Sequence, residues 1–390
     1  MHIYLFPLLM DFVNFMVILR VTDEAGRHDL SPLATASFMG MQSIVYMIGC
    51  ALIGRLLTRR NAKAIVLIST VATLLVNLPA CLVDEFWVLV VLMGLQGACA
   101  AGFWNSFQTF MRGEVPPGSL AMTIGRYNVA WSLGIGMGYL LGGWGKYLGG
   151  SVVLAMMSTG GCLAIFLLTL VHKQREFSQA SADGHVEPSP EGARPVDGRY
   201  LLIGWALVLL ANVTQQPLRT FIPQILAKQR LDPFVAGTIL FCMLGIQALL
   251  SLCGGRMRRW LYRRTSLVIS HVLLAAGLWA LWACGNLYLT AFLMLGVGAV
   301  YSFIYFASVY YVSNDPRSSR NVGINEAMVG LGNIYGSFAC AGLMQWQDND
   351  WAFYPLSIGG VVVFLALELW WLGRKGKPTE RVLASPAGMA

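Results

Sequence analysis

Carboxyl groups inside apolar stretches are the first candidates for chemistry in this sequence. Of its nineteen acidic residues, the three that fall within such stretches are Asp11, Glu326 and Glu368. Desolvation disfavours the charged form of a carboxyl, so a buried carboxyl readily holds a proton. Asp11 lies deep in the first apolar stretch, with Asn14 on the same helical face. This pattern favours a proton carrier or a ligand for a cationic group, and a structural hydrogen bond to a neighbouring helix is the alternative.

Two arginines in apolar stretches could bind an anionic group, because the planar guanidinium suits carboxylate and phosphate geometry. Arg126 lies in the fifth stretch, and Arg219 lies toward the outer end of the seventh. Arg219 could equally reach outward to water. Pro217 and Pro223 flank it and predict a bend or a broken helix end. Glu368, near the end of the last stretch, is explained by a similar reach to the membrane surface.

The composition indicates which kind of protein positions these groups. The 390 residues are 56% hydrophobic and 12% charged, with a mean hydropathy of +0.62. Soluble domains carry about 25% charged residues, so this chain has half the usual supply of solvating side chains. The apolar stretches are roughly twenty residues long, which lets a helix cross about 30 Å of hydrocarbon. The sequence therefore predicts an all-α, multi-pass membrane protein.

Twelve apolar stretches, separated by turn residues, predict twelve membrane-spanning helices in two sets of six. The predicted spans are 3–21, 33–57, 63–83, 86–112, 120–144, 150–172, 200–222, 234–256, 266–284, 287–311, 321–344 and 352–373. The only long polar segment indicates a flexible linker between the two sets. The predicted domains are a bundle over 1–172, the linker over 173–199, a second bundle over 200–373 and a tail over 374–390.

The distribution of basic residues predicts the orientation of the chain. With the amino terminus inside, twenty of the 27 Lys and Arg residues fall in cytoplasmic segments and four fall outside. Cytoplasmic loops of membrane proteins carry such an excess of basic residues. We therefore expect a multi-pass protein of the cytoplasmic (inner) membrane with both termini in the cytoplasm. The net charge of +8 then reflects topology, and nucleic-acid binding is not predicted.

The two halves of the sequence repeat at a nearly constant offset. An offset of 201 residues places Asp11 on Asn212 and Asn14 on Gln215. Further pairs at this offset, or at 198 near the fifth helix, are Gly54 with Gly255, Gly97 with Gly298, Gly134 with Gly332, and Gly138 with Gly336. Such matches in chain order indicate duplicated six-helix halves, an arrangement common among transporters.

Two motifs, together with the layout of six plus six helices, resemble the major facilitator superfamily. Residues 54–63 (GRLLTRRNAK) are similar to its G-x-x-x-D-R-x-G-R-K signature, with Thr58 in place of the acidic residue. Residues 134–143 (GIGMGYLLGG) are similar to the exporter pattern G-x-x-x-G-P-x-x-G-G, with Tyr139 in place of the proline. The resemblance covers essentially the whole chain and implies the fold of that family, with two pseudo-symmetric six-helix bundles.

The resemblance also implies where the substrate binds. In this family helices 1, 4, 7 and 10 line a central cavity. The polar residues that these helices would present are Asp11, Asn14, Gln96, Asn105, Gln108, Asn212, Gln215, Gln216, Arg219, Tyr301 and Tyr305. Amides, phenols and a carboxyl suit a small polar or amphipathic molecule. Trp104 and Trp131 could stack against a ring of that molecule, although packing is the commoner role of membrane tryptophans.

A second set of residues is expected to couple protons or to gate the cavity. The family architecture brings helix 11 close to the loop after helix 2, so we expect Glu326 to pair with Arg59 or Arg55. Asp11 is the first candidate for proton coupling, and Glu326 is the second. Glycines four residues apart line one face of helix 5 and allow close helix approach or bending. The expected gating residues are Gly54, Arg55, Arg59, Arg126, Gly134, Gly138, Gly142 and Glu326.

The sequence as a whole predicts a secondary active transporter that works by alternating access, is coupled to protons and leans to efflux. A sugar or nutrient importer or facilitator is the alternative, and a receptor that does not transport is a remote one. No HExxH, GxSxG or P-loop motif occurs, which argues against an enzyme and against direct ATP drive. No Cys-x-x-Cys pair occurs either, so no metal or cofactor is expected. The expected partners are a small molecule, protons and the bilayer, and the protein is expected to be a monomer.

Overall fold

The protein is helical wherever the structure, a computed structural model, describes it. The described residues are 2–112, 120–172, 198–314 and 318–374, and no strand occurs among them. The helices are α1 (Leu5–Arg27), α2 (Pro32–Leu56), α3 (Arg59–Leu82), α4 (Phe86–Arg112), α5 (Leu120–Val171), α6 (Arg199–Lys228), α7 (Pro233–Ser251), α8 (Gly254–Met257), α9 (Arg264–Ala283), α10 (Leu287–Ser313), α11 (Ser318–Gln347) and α12 (Phe353–Gly373). Eleven of these are long and apolar enough to cross a membrane.

The long helix α5 supplies two of the twelve predicted crossings. Its 52 residues would extend about 78 Å if straight, more than twice the hydrocarbon thickness. Gly150 has φ 62° and ψ −150°, a conformation that glycine adopts without steric cost, and the chain reverses there. Gly138 of the first arm contacts Phe12, and Gly161 of the second arm contacts Val13. The two arms therefore lie side by side against α1, and the predicted all-α fold with twelve crossings is confirmed.

Two helices, α1 and α6, extend well beyond their predicted last residues. The first was expected to end at residue 21, but α1 continues to Arg27 because its polar residues find partners. The carboxylate of Asp23 accepts hydrogen bonds from Arg27 at 2.8 Å and from Lys146 at 2.5 Å. Helix α6 continues through Pro217 and Pro223, so these prolines do not end it. The longer α1 places Asp11 nearer to one end of its helix than the sequence predicts.

The helices form two bundles, α1–α5 and α6–α12, whose internal contacts repeat. In each bundle, glycines let a neighbouring helix approach until its backbone carbonyl lies against them. The pairs of glycine and facing carbonyl are Gly134 with Leu8, Gly138 with Phe12 and Gly97 with Gln42 in the first bundle, and Gly332 with Leu209, Gly336 with Val213 and Gly298 with Met243 in the second. Offsets of 198 and 201 residues relate the glycines, and the carbonyls all repeat at 201. The repeat in the sequence is thus a repeat in helix packing.

Three helix pairs carry most of the packing between the bundles: α5 with α7, α2 with α11, and α1 with α6. We call the end of the molecule that carries residues 2, 172, 198 and 374 the linker side, and the opposite end the far side. On the far side, Gln224 of α6 donates a hydrogen bond to the Leu30 carbonyl at 2.8 Å. Gly26 of α1 lies directly against the Gln224 carbonyl. The bundles are therefore closed against each other on the far side.

Candidate functional site

Three charged residues from different helices are buried near the boundary between the bundles. They are Asp11 of α1, Arg219 of α6 and Glu326 of α11, with relative exposures of 4%, 4% and 8%. Asp11 is close enough to the other two to interact electrostatically with both. The close packing of α1 against α5 and α6 fixes its position. The sequence singled out all three residues, and the structure buries each of them near this boundary.

Asp11 stands out because none of the described residues hydrogen-bonds its carboxyl. Its neighbour one helical turn away is Phe15, on the same face of α1. The guanidinium of Arg219 lies over the Phe15 ring, 5.5 Å from the ring centroid. The expected alternative role for Asp11, a structural hydrogen bond to another helix, therefore finds no partner in the described part of the chain. The side chain is placed to bind a proton or a ligand.

Arg219 is held in the interior and does not reach outward to water. Its Nη2 donates to Gln216 Oε1 at 2.9 Å and to Asn333 Oδ1 at 3.3 Å. Its Nε is buried and has no hydrogen-bond partner among the residues that the structure describes. The outward reach that the sequence left open for Arg219 is therefore wrong. Arg126, the other candidate arginine, is exposed and lies beside Tyr4 on the linker side.

Glu326 connects the two bundles. Its carboxylate accepts a hydrogen bond from Gln108 Nε2 at 2.9 Å and another, on its other oxygen, from the Tyr46 hydroxyl. The expected partners, Arg55 and Arg59, have side chains that lie outside the described part of the structure. Both carboxylate oxygens are occupied by donors that the sequence did not suggest. Glu326 joins helices across the boundary, and its gating role stays a prediction.

A ladder of amides fills the first bundle beside this cluster. Gln42 Nε2 donates to Gln96 at 2.7 Å, and Gln96 Nε2 donates to Asn77 at 2.7 Å. Asn77 Nδ2 in turn donates to Asn14 Oδ1 at 3.3 Å. The ladder fixes the orientation of Asn14 one turn from Asp11. Asn105, a further predicted candidate, bonds the Ala101 carbonyl of its own helix at 2.9 Å.

A second polar network lies in the other bundle and crosses to the first. The Tyr305 hydroxyl bonds Gln215 Oε1 at 3.0 Å and Asn212 Oδ1 at 3.3 Å. Gln215 Nε2 donates to Gln247 Oε1 at 3.0 Å. Gln247 Nε2 then donates to the Ser132 hydroxyl of α5 at 2.9 Å. Predicted candidates from α6 and α10 are thus linked to α5 through a residue that the sequence analysis did not select.

Aromatic rings complete the site. Trp131 of α5 and Tyr305 of α10 meet across the boundary with ring centroids 4.8 Å apart and planes at 73°. Trp104 lies edge-on to Tyr127 at 6.0 Å, within the first bundle. The Tyr301 hydroxyl donates to Thr214 at 2.8 Å. Rings, amides and hydroxyls together suit a small molecule with a planar apolar face and several hydrogen-bonding groups.

The predicted gating glycines divide into two groups. Gly134, Gly138 and Gly142 all face α1, where a β-carbon would collide with its backbone or with Met16. Their packing role is direct, and a bending role stays a prediction. Gly54, by contrast, has open space around the position of a β-carbon.

Glu368 and His271 form a buried pair that the sequence did not predict. Glu368 of α12 is 2% exposed, and its Oε2 lies 3.5 Å from Nε2 of the fully buried His271 on α9. The expected reach of Glu368 to the membrane surface is therefore wrong. Arg374, one of the basic residues near it in the sequence, instead stacks on the Trp370 ring at 3.7 Å. The pair lies between α9 and α12, outside the boundary between the bundles.

Several residues of the site escaped the sequence analysis: Tyr46, Asn77, Ser132, Gln247 and Asn333. The internal repeat could have revealed two of them, because the offset of 201 residues places Tyr46 on Gln247. Asn77 and Asn333 lie on α3 and α11, two helices that the resemblance does not place at the cavity. Within the described ranges, no group of three His, Cys, Asp or Glu residues could hold a metal ion.

Comparisons with known proteins agree with this architecture. The family profile described as Major Facilitator Superfamily matches residues 2–225 and 201–389. A crystal structure of the nucleoside transporter NupG is similar with a TM-score of 0.69 at 13% identity, covering 96% of this chain and 100% of that one. A structure of a point variant of NupG is similar with a TM-score of 0.66 at 12% identity, covering 95% and 99%. No curated protein sequence matches the chain. The chain is thus a multi-pass membrane transporter that belongs to the Major Facilitator Superfamily, and not an enzyme.

Proposed function

We propose that this transporter carries a small, uncharged polar molecule by alternating access and that Asp11 couples the movement to protons. The observation that carries the proposal is the Asp11 carboxyl, which is 4% exposed, lacks a hydrogen-bond partner in the described chain and lies at the boundary between the bundles. A charge costs at least about 2.5–3.5 kcal/mol within the bilayer, so an unpaired carboxyl there is expected to be functional.

Alternating access requires contacts that break in turn on the two sides of the membrane. Gln224 and Leu30 close the far side, and Glu326 joins α11 to α2 and α4 toward the linker side. We place the protein in the cell membrane. Because basic residues are in excess in cytoplasmic segments, the linker side and both termini would face the cytoplasm. In this proposal Glu326 is the cytoplasmic latch, which releases when the cavity opens inward.

The substrate class follows from the groups around the charged cluster. The amides of Gln215 and Asn212, which bond Tyr305 in this structure, lie beside the rings of Trp131 and Tyr305. A nucleoside combines a planar base with a polar sugar, and both similar structures are of a nucleoside transporter. We therefore infer a nucleoside or a molecule of comparable size and polarity, carried by a monomer.

The direction of transport is not fixed by the glycines of α5. The sequence favoured efflux because these glycines resemble an exporter pattern. In the structure α1 packs closely against these glycines. Such packing is equally compatible with import and with export. Protons moving down their gradient with the substrate would drive uptake, and protons exchanged for it would drive efflux.

Reconstitution in liposomes that contain a pH-sensitive dye tests the proposal. We expect purine and pyrimidine nucleosides, offered one at a time, to move protons in the wild type and not in Asp11→Asn. Asp232→Asn is the matched control, because Asp232 is an exposed loop residue whose side chain makes no capping bond. Proton flux that persists in Asp11→Asn would refute the role of Asp11. Nucleoside uptake without proton movement would instead identify a facilitator.

A further inference from the structure

Three arginines surround the linker-side end of α12. Arg199, at the start of α6, donates hydrogen bonds to the carbonyls of Leu372 at 2.9 Å and Arg374 at 2.6 Å. Arg264, at the start of α9, donates to the same Leu372 carbonyl. The Arg374 guanidinium lies over the Trp370 ring, 3.7 Å from its centroid. The beginnings of α6 and α9 thus converge on the end of α12 and bring basic side chains together there.

The end of α12 does not itself balance this positive charge. The carbonyls at a helix C-terminus carry about half an elementary negative charge in total, which is less than the charge of Arg264 and Arg374 together. Among the described residues, every exposed carboxyl lies on the far side of the molecule. These residues are Asp29, Asp84, Glu85, Asp232 and Asp348. The arginine cluster therefore favours a bound anion.

The loop before Arg264 is held in a defined conformation. Tyr262 has φ 59°, in the left-handed region that a bulky residue rarely adopts. Its N–H donates to the Tyr311 hydroxyl at 3.0 Å, and its own hydroxyl accepts a hydrogen bond from Asn314 Nδ2 at 3.1 Å. The Tyr200 ring packs against the Tyr262 ring with centroids 5.0 Å apart. Arg264 is thus positioned before a ligand binds, which favours binding because less freedom is then lost.

An exposed apolar face of α12 leads up to the arginine cluster. Val363, Leu367 and Trp370 are each more than half exposed, and their spacing places them on one side of the helix with Arg374. Val363 and Arg374 lie about 16 Å apart along the helix axis, roughly the depth of one leaflet of the bilayer. Tryptophan is enriched at the level where hydrocarbon meets headgroups. A phospholipid matches this arrangement, with acyl chains along the apolar face and a phosphate at its end.

We propose that Arg264 and Arg374 bind the phosphate of an anionic phospholipid, whose acyl chains lie along the exposed face of α12. A guanidinium can form two parallel hydrogen bonds with a phosphate, so both arginines suit this group. Arg199 positions the end of α12 through the two carbonyls that it binds. Basic pockets beside membrane helices are a common form of headgroup site. The site lies outside the boundary between the bundles, so the inference does not rest on the proposed function.

Native mass spectrometry of the detergent-purified protein tests the proposal by counting bound lipids. Phosphatidylglycerol and phosphatidylcholine with identical acyl chains are titrated in turn, and we expect the wild type to retain one phosphatidylglycerol in preference to phosphatidylcholine. A basic residue near the membrane surface contributes about fivefold in affinity for anionic lipid. Arg374→Gln should therefore weaken binding about fivefold, and the double change of Arg264→Gln with Arg374→Gln about 25-fold. Arg264→Lys, which keeps the charge, should lose less than Arg264→Gln.

Arg60→Gln is the matched control for this titration. Arg60 is also exposed on the linker side, but it lies at the start of α3 in the first bundle. The change removes the same charge from the same side of the molecule. We expect it to leave the affinity for phosphatidylglycerol unchanged. Equal weakening in Arg60→Gln and Arg374→Gln would show a general attraction of charge and would overturn the inference.

Three further outcomes would also overturn it. Equal retention of the two lipids would mean that the headgroup charge is not recognised. Displacement of phosphatidylglycerol by an equal concentration of glycerol phosphate would assign the arginines to a soluble anion. Masses of two chains without lipid would assign the apolar face to a second copy. If Arg264→Gln fails to fold because it loses the bond to Leu372, Arg374→Gln still decides, since the Arg374 guanidinium makes no hydrogen bond to a described residue.

Discussion

Gln247 of α7 donates a hydrogen bond to Ser132 of α5 across the boundary between the two bundles, at 2.9 Å. The 201-residue offset places Gln247 on Tyr46, which donates to Glu326 across the same boundary. Tyr46 and Gln247, which occupy corresponding positions in the two halves, thus each donate a hydrogen bond to a residue of the opposite half. One of these two contacts ends on a hydroxyl and the other on a carboxylate. Of these two corresponding contacts, only the one at Glu326 contains a carboxyl that can bind a proton.

Removal of the Tyr46 hydroxyl should loosen the Glu326 latch. A hydrogen bond to a charged group contributes about 1.5–3 kcal/mol, so Tyr46→Phe should shift the ratio of open to closed states by about tenfold to a hundredfold. Cys50, which is buried beside Tyr46 and Asn105, reports that opening through its rate of labelling by a thiol reagent.

The labelling experiment requires a protein in which Cys50 is the only cysteine. Tyr147→Phe is the control, because the Tyr147 side chain is exposed. We expect faster labelling in Tyr46→Phe and unchanged labelling in the control. Equal rates in Tyr46→Phe and the wild type would mean that the hydroxyl does not hold the linker side closed.

Gly138 should not tolerate a methyl group. An alanine β-carbon there would lie 2.7 Å from the Phe12 carbonyl oxygen, so α1 or α5 must move. Overpacking of this kind costs about 1–3 kcal/mol. Gly296→Ala is the matched change, since it also lies within a helix but has nothing within 4 Å of the new atom.

Thermal unfolding in detergent distinguishes the two glycine variants. We expect the melting temperature to fall in Gly138→Ala. In Gly296→Ala it should stay unchanged or rise, because alanine favours helix by about 1 kcal/mol over glycine. A similar effect of both changes would show that close helix approach is not what requires Gly138.

The sequence predicts the helices of this protein well, because length and apolarity dominate in a membrane. It fails where polar residues find partners within the helix bundle. The first helix was predicted to end at residue 21, yet Asp23 continues it and pairs with Lys146 of α5. Glu368 suggested a reach to the surface, yet it turns inward to His271. Such pairings join residues more than 90 positions apart, and local composition carries no trace of them.

The candidate site was predicted only in part, because pairings between residues distant in the chain are not visible in the sequence. Asp11, Glu326 and Arg219 are conspicuous because charged residues are rare in apolar helices. Their burial near the boundary, and the donors that occupy Glu326, depend on which helices touch there. The repeat supplies the missing relation for Tyr46 and Gln247. Nothing comparable in the sequence identifies Asn333 as a partner of Arg219.

Trp131 should contribute to substrate affinity through its ring. It meets Tyr305 across the boundary at 4.8 Å, where a planar substrate would stack. We expect Trp131→Ala to raise the apparent KM for a transported nucleoside about tenfold, which corresponds to about 1.4 kcal/mol. Trp131→Phe, which keeps a ring, should raise it less.

The control for this change is Trp87→Ala, because the Trp87 side chain is largely exposed. Initial rates of labelled nucleoside uptake into liposomes, measured over a range of concentrations, give KM and the maximal rate separately. A loss confined to the maximal rate in Trp131→Ala would assign Trp131 to the conformational change and not to binding.

His271 and Glu368 form a buried pair in the second bundle. We expect the contribution of each of them to the stability of the protein to depend on the presence of the other. Nδ1 of His271 lies 2.8 Å from the Leu267 carbonyl and therefore carries a hydrogen, which turns Nε2 toward Glu368. Neither oxygen of Glu368 has a hydrogen-bond partner among the described residues. His271→Gln should remove the imidazole that approaches this carboxyl at 3.5 Å and cost about 1–3 kcal/mol of stability. Glu368→Gln in the same background should then cost little more, because the imidazole with which residue 368 interacts is already absent.

A double-mutant cycle of thermal unfolding measures this dependence, with Glu85→Gln as the exposed control. Residues in contact typically show coupling energies of about 0.5–3 kcal/mol. We expect a coupling in that range between His271 and Glu368, and none between His271 and Glu85. Strictly additive losses for His271→Gln and Glu368→Gln would mean that the 3.5 Å approach contributes no interaction. In that case desolvation of each group, and not their pairing, would set the stability of the α9–α12 contact.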